Sequence, residues 1–259
     1  MSPHQNGRRP GCDARKPALE LAQVTKQFGD QLVVPGVSLR VDAGEILCLL
    51  GPSGCGKSTL SKISASLLPP DGGNVRVRGE MVTQPDADRI LIFQEQDQIF
   101  PWMTVVQNVS FPLRRSGDAR WRLTAADAIR SVGLMEAEDK YPHQLSGGMR
   151  QRVALARSLA LRPAVLIMDE PFAHLDASLR RSLQDLLSTI VGEYEPAVLF
   201  VTHDIQEAVR LSDRIIIMSA TGHFAGEHNV ASKRPRDPGA SQMTKLATEL
   251  FQELARNDS

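Results

Sequence analysis

Nine consecutive residues, Gly51-Pro52-Ser53-Gly54-Cys55-Gly56-Lys57-Ser58-Thr59, have the types and spacing of a loop that cradles phosphate. Most of that chemistry is done by the backbone. Gly51, Gly54 and Gly56 let the chain curl without Cβ clashes, so several N–H groups can converge on phosphate oxygens. Lys57 can reach β- and γ-phosphates, and the Ser58 hydroxyl is a ligand for Mg²⁺. A second constellation is Val165-Leu166-Ile167-Met168-Asp169-Glu170, an apolar run ending in two carboxylates. Asp169 is placed to hold Mg²⁺ through its water shell. Glu170 is placed to polarise an attacking water, a general-base duty that contributes about 10²–10⁴-fold in rate. A third is Leu145-Ser146-Gly147-Gly148, a helix start with an exposed hydroxyl and close backbone approach, hence a second anion site. These residues point to binding and hydrolysis of a nucleoside triphosphate. Two phosphate sites far apart in one chain make sense if two chains share two nucleotides.

Chemistry led by backbone amides needs a buried strand to deliver the loop and a helix to receive it. The run Glu45-Ile46-Leu47-Cys48-Leu49-Leu50 leads straight into Gly51, and the helix after the loop adds its positive N-terminal end. Residues 165–168, 197–201 and 215–218 are continuous apolar runs, as expected of strands buried on both faces of a parallel sheet. Leu175, Leu179, Leu183, Leu186, Leu187 and Ile190 share one face of an intervening helix. Repetition of strand, loop and helix argues for an α/β core. By contrast, Leu19-Glu20-Leu21, Val37-Ser38-Leu39-Arg40-Val41 and Asn74-Val75-Arg76-Val77-Arg78 alternate apolar with polar, which predicts half-buried antiparallel strands. The turn Pro69-Pro70-Asp71-Gly72-Gly73 precedes the last of them. Residues 95–161 read as mainly helical, a subdomain inserted in the core, with one helix stopped by Gly133 and another ending before Pro163. Met243, Leu246, Leu250, Phe251 and Leu254 fall at helical spacing and predict a packed terminal helix.

Composition sets outer limits. A chain of 259 residues can bury a substantial core. Its 30 Lys and Arg balance 30 Asp and Glu, so there is no net-charge footprint for nucleic acid or anionic lipid. No apolar stretch approaches the roughly 20 residues that span a bilayer. Residues 1–17 are polar and basic with no apolar stretch behind them, which fits a disordered tail and not a secretory signal. The three cysteines, Cys12, Cys48 and Cys55, lack metal-ligand spacing and fit a reducing, cytosolic compartment.

Taken together, residues 51–59, 145–148 and 165–170 resemble the ATP-binding subunit of an ATP-binding cassette (ABC) transporter. The resemblance runs from about Leu19 to Met218, and its Ser-Gly-Gly signature is absent from other phosphate-loop NTPases. It implies an α/β fold: a RecA-like P-loop NTPase core with an antiparallel β-subdomain and an inserted α-helical subdomain, over residues 18–220. Residues 221–259 become a C-terminal extension ending in a helix. It implies ATP and Mg²⁺ as ligands. It also implies a head-to-tail homodimer, in which each ATP lies between the phosphate loop of one chain and Ser146, Gly147 and Gly148 of the other. Position by position, Phe28 matches the aromatic residue that stacks on adenine; the alternative is a core Phe at a strand end. Gln94 matches the glutamine that contacts Mg²⁺ and the attacking water, and Asp176 matches the loop that crosses the dimer interface. His203 matches the switch histidine that bonds the γ-phosphate and helps fix Glu170; the alternative is a surface histidine at a strand end. Three positions depart from the commoner pattern: Met149 where many cassettes have Gln, His174 in place of a small residue, and Ala65-Ser66-Leu67 for Ala-Gly-Leu.

Pro101-Trp102 followed by Thr104-Val105 and Asn108-Val109 is similar to importers of nitrate, sulfonates, taurine and related small solutes. In this family residues 94–105 line the groove that receives a short cytoplasmic helix of the membrane subunit. Ile99, Phe100 and Trp102 make an apolar patch suited to that role, with simple subdomain packing as the alternative. The resemblance implies a permease on a separate polypeptide, a solute-binding protein acting indirectly, and a position on the cytoplasmic face of a bacterial inner membrane. The chain ends soon after the last core strand, without the large C-terminal β-domain of some sugar-importer cassettes. A soluble ABC ATPase working on DNA or ribosomes usually carries long coiled-coil inserts or two cassettes, and neither is present. An exporter cassette is disfavoured by Pro101-Trp102, and a catalytically dead scaffold by Glu170 and His203.

Overall fold

The unbroken apolar runs become the centre of the molecule. The computed structural model describes residues 16–257 apart from 94–98, 118, 174, 235 and 238. Three strands, β3 (Ile46–Leu50), β7 (Val165–Asp169) and β8 (Ala197–Thr202), are buried at every residue. With β6 (Arg89–Ile92), β9 (Arg214–Met218) and β10 (Phe224–Asn229) they form a six-stranded sheet in the order β10-β9-β3-β8-β7-β6. All neighbours are parallel except β10, which pairs antiparallel with β9 at the edge. The sheet therefore continues past residue 220, where the sequence suggested that the core ends. Only Phe224 and Ala225 of β10 are apolar, and its residues alternate between half-buried and exposed, so it carries no run of the kind that marks the central strands.

The alternating segments form a second sheet. Its strands β1 (Leu19–Phe28), β2 (Gln31–Val41), β4 (Gly72–Val77) and β5 (Glu80–Met81) lie in the order β2-β1-β4-β5, and the three pairings are antiparallel. Strand β4 starts at Gly72, so the glycines expected in the turn belong to the ladder.

Strand pleating divides the core into two layers. Leu47, Leu49, Ile167, Leu199 and Val201 point to one face, against Leu19, Leu21 and Val24 of the second sheet and Leu60 and Ile63 of α1 (Lys57–Ser64). Ile46, Cys48, Leu50, Leu166, Met168, Val198 and Phe200 point to the other. The core on that side continues into α4 (Gly147–Leu159), α5 (Ala177–Tyr194), α6 (Ile205–Leu211) and α7 (Ser241–Asn257), and through α4 into α2 (Val105–Ser116) and α3 (Trp121–Ser131). A fully buried Leu or Ile in either layer contributes about 1.5–3 kcal/mol relative to exposure.

Helices α2, α3 and α4 pack on one another and make the helical segment that precedes β7. Leu175 lies outside α5, which begins at Ala177, yet is buried with Leu183, Leu187 and Ile190. Met243 and Leu250 bury one stripe of α7, whereas Phe251 is 65% exposed, contrary to the packing its spacing suggested. Among the described residues, no helix is long and apolar enough to cross a membrane.

Candidate functional site

Parallel register brings three strand ends together. Leu50 pairs with Thr202, and Asp169 pairs with Val201, so the segments after β3, β7 and β8 emerge side by side. Loops at the carboxyl edge of a parallel sheet are where such folds bind ligands. Gly51, Asp169 and His203 meet there because the strands that carry them stop at the same level.

The phosphate loop occupies residues 51–56 and ends in α1. Gly56 sits at φ +101°, and a Cβ there would lie 2.8 Å from the carbonyl oxygen of Val33, so both conformation and space demand glycine. Lys57 is buried. Its Nζ donates to the carbonyl oxygens of Gly51 (2.7 Å) and Pro52 (2.6 Å), which hold the ammonium inside the curl of the loop. Ser53, Gly54 and Ser58 are exposed, while Pro52 and Thr59 are half-buried. Cys55 is only 3% exposed, and burial pushes its thiol pKa up despite the neighbouring ammonium.

Asp169 ends β7 almost wholly buried. Desolvation raises its pKa, while a hydrogen bond with Ser58 and the charge of Lys57 oppose that rise. Among the described residues, its Oδ1 has no hydrogen-bond partner. A buried carboxylate oxygen without a donor, next to a hydroxyl that is itself a hard-cation ligand, fits a bound divalent ion. Glu170 follows in the left-handed region at φ +48°. Such a backbone costs a non-glycine residue about 1–3 kcal/mol and is concentrated at functional sites. Its N–H donates to the Val201 carbonyl (2.9 Å), and its Oε1 lies 3.1 Å from Nδ1 of His203. The backbone of β8 thus fixes the turn that aims Glu170 at His203.

Ser146 caps α4, its Oγ accepting from the Met149 N–H at 3.3 Å. Gly148 is the contact point of α4 with α5: a Cβ there would lie 2.2 Å from Leu179 Cδ1. Asp176 caps α5, with Oδ1 accepting from the N–H groups of Ser178 (3.0 Å) and Leu179 (2.9 Å). Within one chain, neither Ser146 nor Asp176 bonds a residue of the phosphate loop. Phe28 ends β1 and is 49% exposed, so it is not a core aromatic. Gln94 and His174 lie outside the described residues, as do residues 1–15 of the expected tail.

Trp102 is 68% exposed and stacks on Phe100, their centroids 5.4 Å apart; Phe100 meets Phe111 edge-on at 5.0 Å. Arg157 of α4 lies 4.4 Å above the Phe100 ring. Buried Asn108 pins this loop to α2. Its Oδ1 accepts from the Phe100 N–H (2.7 Å), and its Nδ2 donates to the carbonyls of Phe100, Met103 and Thr104. Trp102, Met103, Gln107, Phe111, Arg114 and Arg115 wall a groove of about 570 Å³. Ile99 turns into the core and leaves the surface patch to the aromatic rings.

Sequence reading passed over Thr202, Asp204, Glu207 and Arg180. Glu207 is 5% exposed, and its Oε2 accepts from Thr202 Oγ1 at 2.8 Å. Desolvation raises its carboxyl to about 7. One signal was available: Asp204 followed three residues later by Glu207 is a helix N-terminus pattern, and Asp204 does cap α6.

Residues 34–173 match the family model described as ABC transporter. An aliphatic sulfonates import ATP-binding protein of Pseudomonas aeruginosa is 43% identical over 245 residues, which cover 92% of this chain and 97% of that one. A bicarbonate transport ATP-binding protein of Synechocystis is 42% identical over 229 residues, covering 85% and 81%. A bacterial ABC transporter cassette solved as a dimer superposes with a TM-score of 0.71 at 30% identity, covering 83% of this chain and 99% of that one. With a phosphate loop, a carboxylate pair and a Ser-Gly-Gly helix start carried on that fold, the chain belongs to the ABC transporter family as an ATP-binding cassette.

Proposed function

We propose that this chain binds and hydrolyses ATP to drive an importer of small solutes such as nitrate, sulfonates, taurine or related compounds. The observation that carries the reading is the Glu170–His203 pair, 3.1 Å apart, at the sheet edge that also presents Lys57, Ser58 and Asp169. The similarity to sulfonate and bicarbonate transport ATP-binding proteins supports the direction and class of transport.

In this reading the loop amides and Lys57 hold the β- and γ-phosphates, and Phe28 offers a ring face to adenine. Ser58 and Asp169 hold Mg²⁺, which when bound neutralises developing phosphate charge. Gln94 adds a contact to the ion and the attacking water. Nucleotide phosphates would supply the remaining ligands of that ion. Glu170 accepts the proton of the attacking water, and His203 orients that carboxylate while facing the γ-phosphate.

Ser146, Gly147, Gly148 and Asp176 act in trans, on the nucleotide held by a second copy of this chain. Closure of the pair then depends on ATP, and hydrolysis releases it. The Trp102 groove receives a helix of a separate permease, which places the cassette on the cytoplasmic face of a bacterial inner membrane, with a solute-binding protein acting through the permease. The test is to purify the chain with its permease in vesicles and measure ATP hydrolysis against added solutes. Hydrolysis that requires Mg²⁺ and rises with a sulfonate or a small oxyanion is expected. Absence of Mg²⁺-dependent hydrolysis would overturn the proposal.

A further inference from the structure

Arg180 lies in the first turn of α5 and touches three segments of the site at once. Its Nη2 donates to the Leu175 carbonyl at 3.2 Å, directly before Asp176. Its Nη1 reaches Asp204 Oδ2 at 3.4 Å, and its Nε lies 3.6 Å from Glu207 Oε1. Glu207 holds Thr202 through its other oxygen, and Thr202 Oγ1 in turn accepts from the Asp204 N–H at 3.0 Å. Thr202 and Asp204 are the two neighbours of His203. The turn carrying His203 is therefore tied on one side to the buried Glu207 carboxylate through Thr202 and on the other to Arg180 through Asp204, and Arg180 links that carboxylate to the backbone just before Asp176.

From this arrangement we infer that Arg180 and Glu207 are positioning residues that set His203 against Glu170 and tie the His203 turn to the Asp176 turn. The inference rests on the roles given to His203 and Asp176 in the proposed function. Neither Arg180 nor Glu207 reaches the phosphate loop in any bond of the network, so their effect on hydrolysis passes through His203. A planar guanidinium serves here because one fork addresses a carbonyl and two carboxylates in fixed directions. A lysine ammonium would keep the charge and lose that geometry. Misplacement of a catalytic group by about 1 Å can cost on the order of 10²-fold in rate, so a large effect is available without any change in nucleotide binding.

The test is a double-mutant cycle in the full chain, reading kcat and KM for MgATP. Arg180→Ala should lower kcat about tenfold or more and leave KM within about twofold. Arg180→Lys should recover part of that loss, and Glu207→Gln, which keeps the size of the side chain, should reproduce the kcat effect in a chain that unfolds cooperatively like the parent. In a His203→Ala background, Arg180→Ala should add little further loss, because the residue it positions is gone. Multiplicative losses in the double variant would overturn the inference, as would a rise in KM with kcat unchanged, or normal kcat in both single variants. A parent chain without Mg²⁺-dependent hydrolysis would instead sink the underlying functional reading, and this inference with it.

Discussion

Two non-glycine residues in the left-handed region separate backbone strain that serves the site from strain that does not. Glu170 adopts φ +48° where the chain turns out of β7, and that turn delivers its carboxylate to His203. Glu170→Gln keeps the turn and removes the proposed base. ATP binding should persist while hydrolysis falls by about 10²-fold or more, measured as steady-state phosphate release beside nucleotide binding. Hydrolysis at the parent rate would remove Glu170 from the chemistry. Ser66, at φ +55°, stands just past the end of α1, where its N–H bonds the Ile63 carbonyl and Leu67 N–H bonds that of Lys62. A glycine is the usual residue at such a helix end. Ser66 also buries an Oγ with no hydrogen-bond partner among the described residues. The sequence departure at Ala65-Ser66-Leu67 therefore has a physical cost. Ser66→Gly should stabilise the chain by about 1 kcal/mol and raise the thermal midpoint by about 2–4 °C. A lowered midpoint would mean that the hydroxyl contributes more than the backbone strain costs.

At the scale of elements, the strands and loops that carry backbone chemistry were legible in sequence because their signals are local. Continuous apolar runs marked β3, β7 and β8, and the residues that end them are those that meet at the sheet edge. The edge strand β10 was not legible, since an alternating half-exposed strand gains its pairing from β9 and not from its own composition. The Arg180–Glu207 network was equally hidden. Its members lie on two helices and a strand end, 27 positions apart at the widest, and only the fold brings them together. Phe251 shows the converse failure: helical spacing placed it on the packed stripe of α7, but the stripe is narrow, running through Met243, Leu246, Leu250 and Leu254, and leaves Phe251 beside it in solvent. The buried carboxylate has a consequence for the stability of α6. Glu207 faces Arg180 from α5, Asp204 and His203 from the adjoining turn, and Cys48 from β3. Burial raises its carboxyl from an ordinary value near 4.5 to about 7. The folded chain therefore holds a proton that the unfolded chain has released between those values. The stability tied to that proton is fully present below about pH 4.5 and is lost as pH rises to about 7, with a slope of up to about 1.4 kcal/mol per pH unit. Urea unfolding from pH 5 to 8 should show that decline in the parent and a flatter profile in Glu207→Gln. Parallel profiles would mean that Glu207 ionises normally in the folded chain.

In the whole molecule, α4 spans the distance between the two proposed partner surfaces. Its N-terminus carries Ser146, offered to a second copy of the chain, and Arg157 near its far end lies over Phe100, which stacks on Trp102 and meets Phe111 of the groove wall. Thirteen helical residues make a rod about 20 Å long, and Gly148 seats it closely against α5. A helix docked in the groove would press on the aromatic stack, and the stack bears on the same rod that presents Ser146. Trp102 is the exposed end of that stack, so it should contribute to docking and not to chemistry in the nucleotide site. Exposed tryptophans that become buried on association commonly account for 2 kcal/mol or more of binding, about a 30-fold change in affinity. Trp102→Ala should leave hydrolysis by the isolated cassette within about twofold of the parent, while weakening its association with the permease by about tenfold or more. Solute-stimulated hydrolysis in vesicles should fall in step, and raising the cassette concentration should restore part of it. If association and stimulation both match the parent, the permease does not enter by this groove. If isolated hydrolysis falls equally, the aromatic stack supports the nucleotide site directly and α4 is not the connection between them.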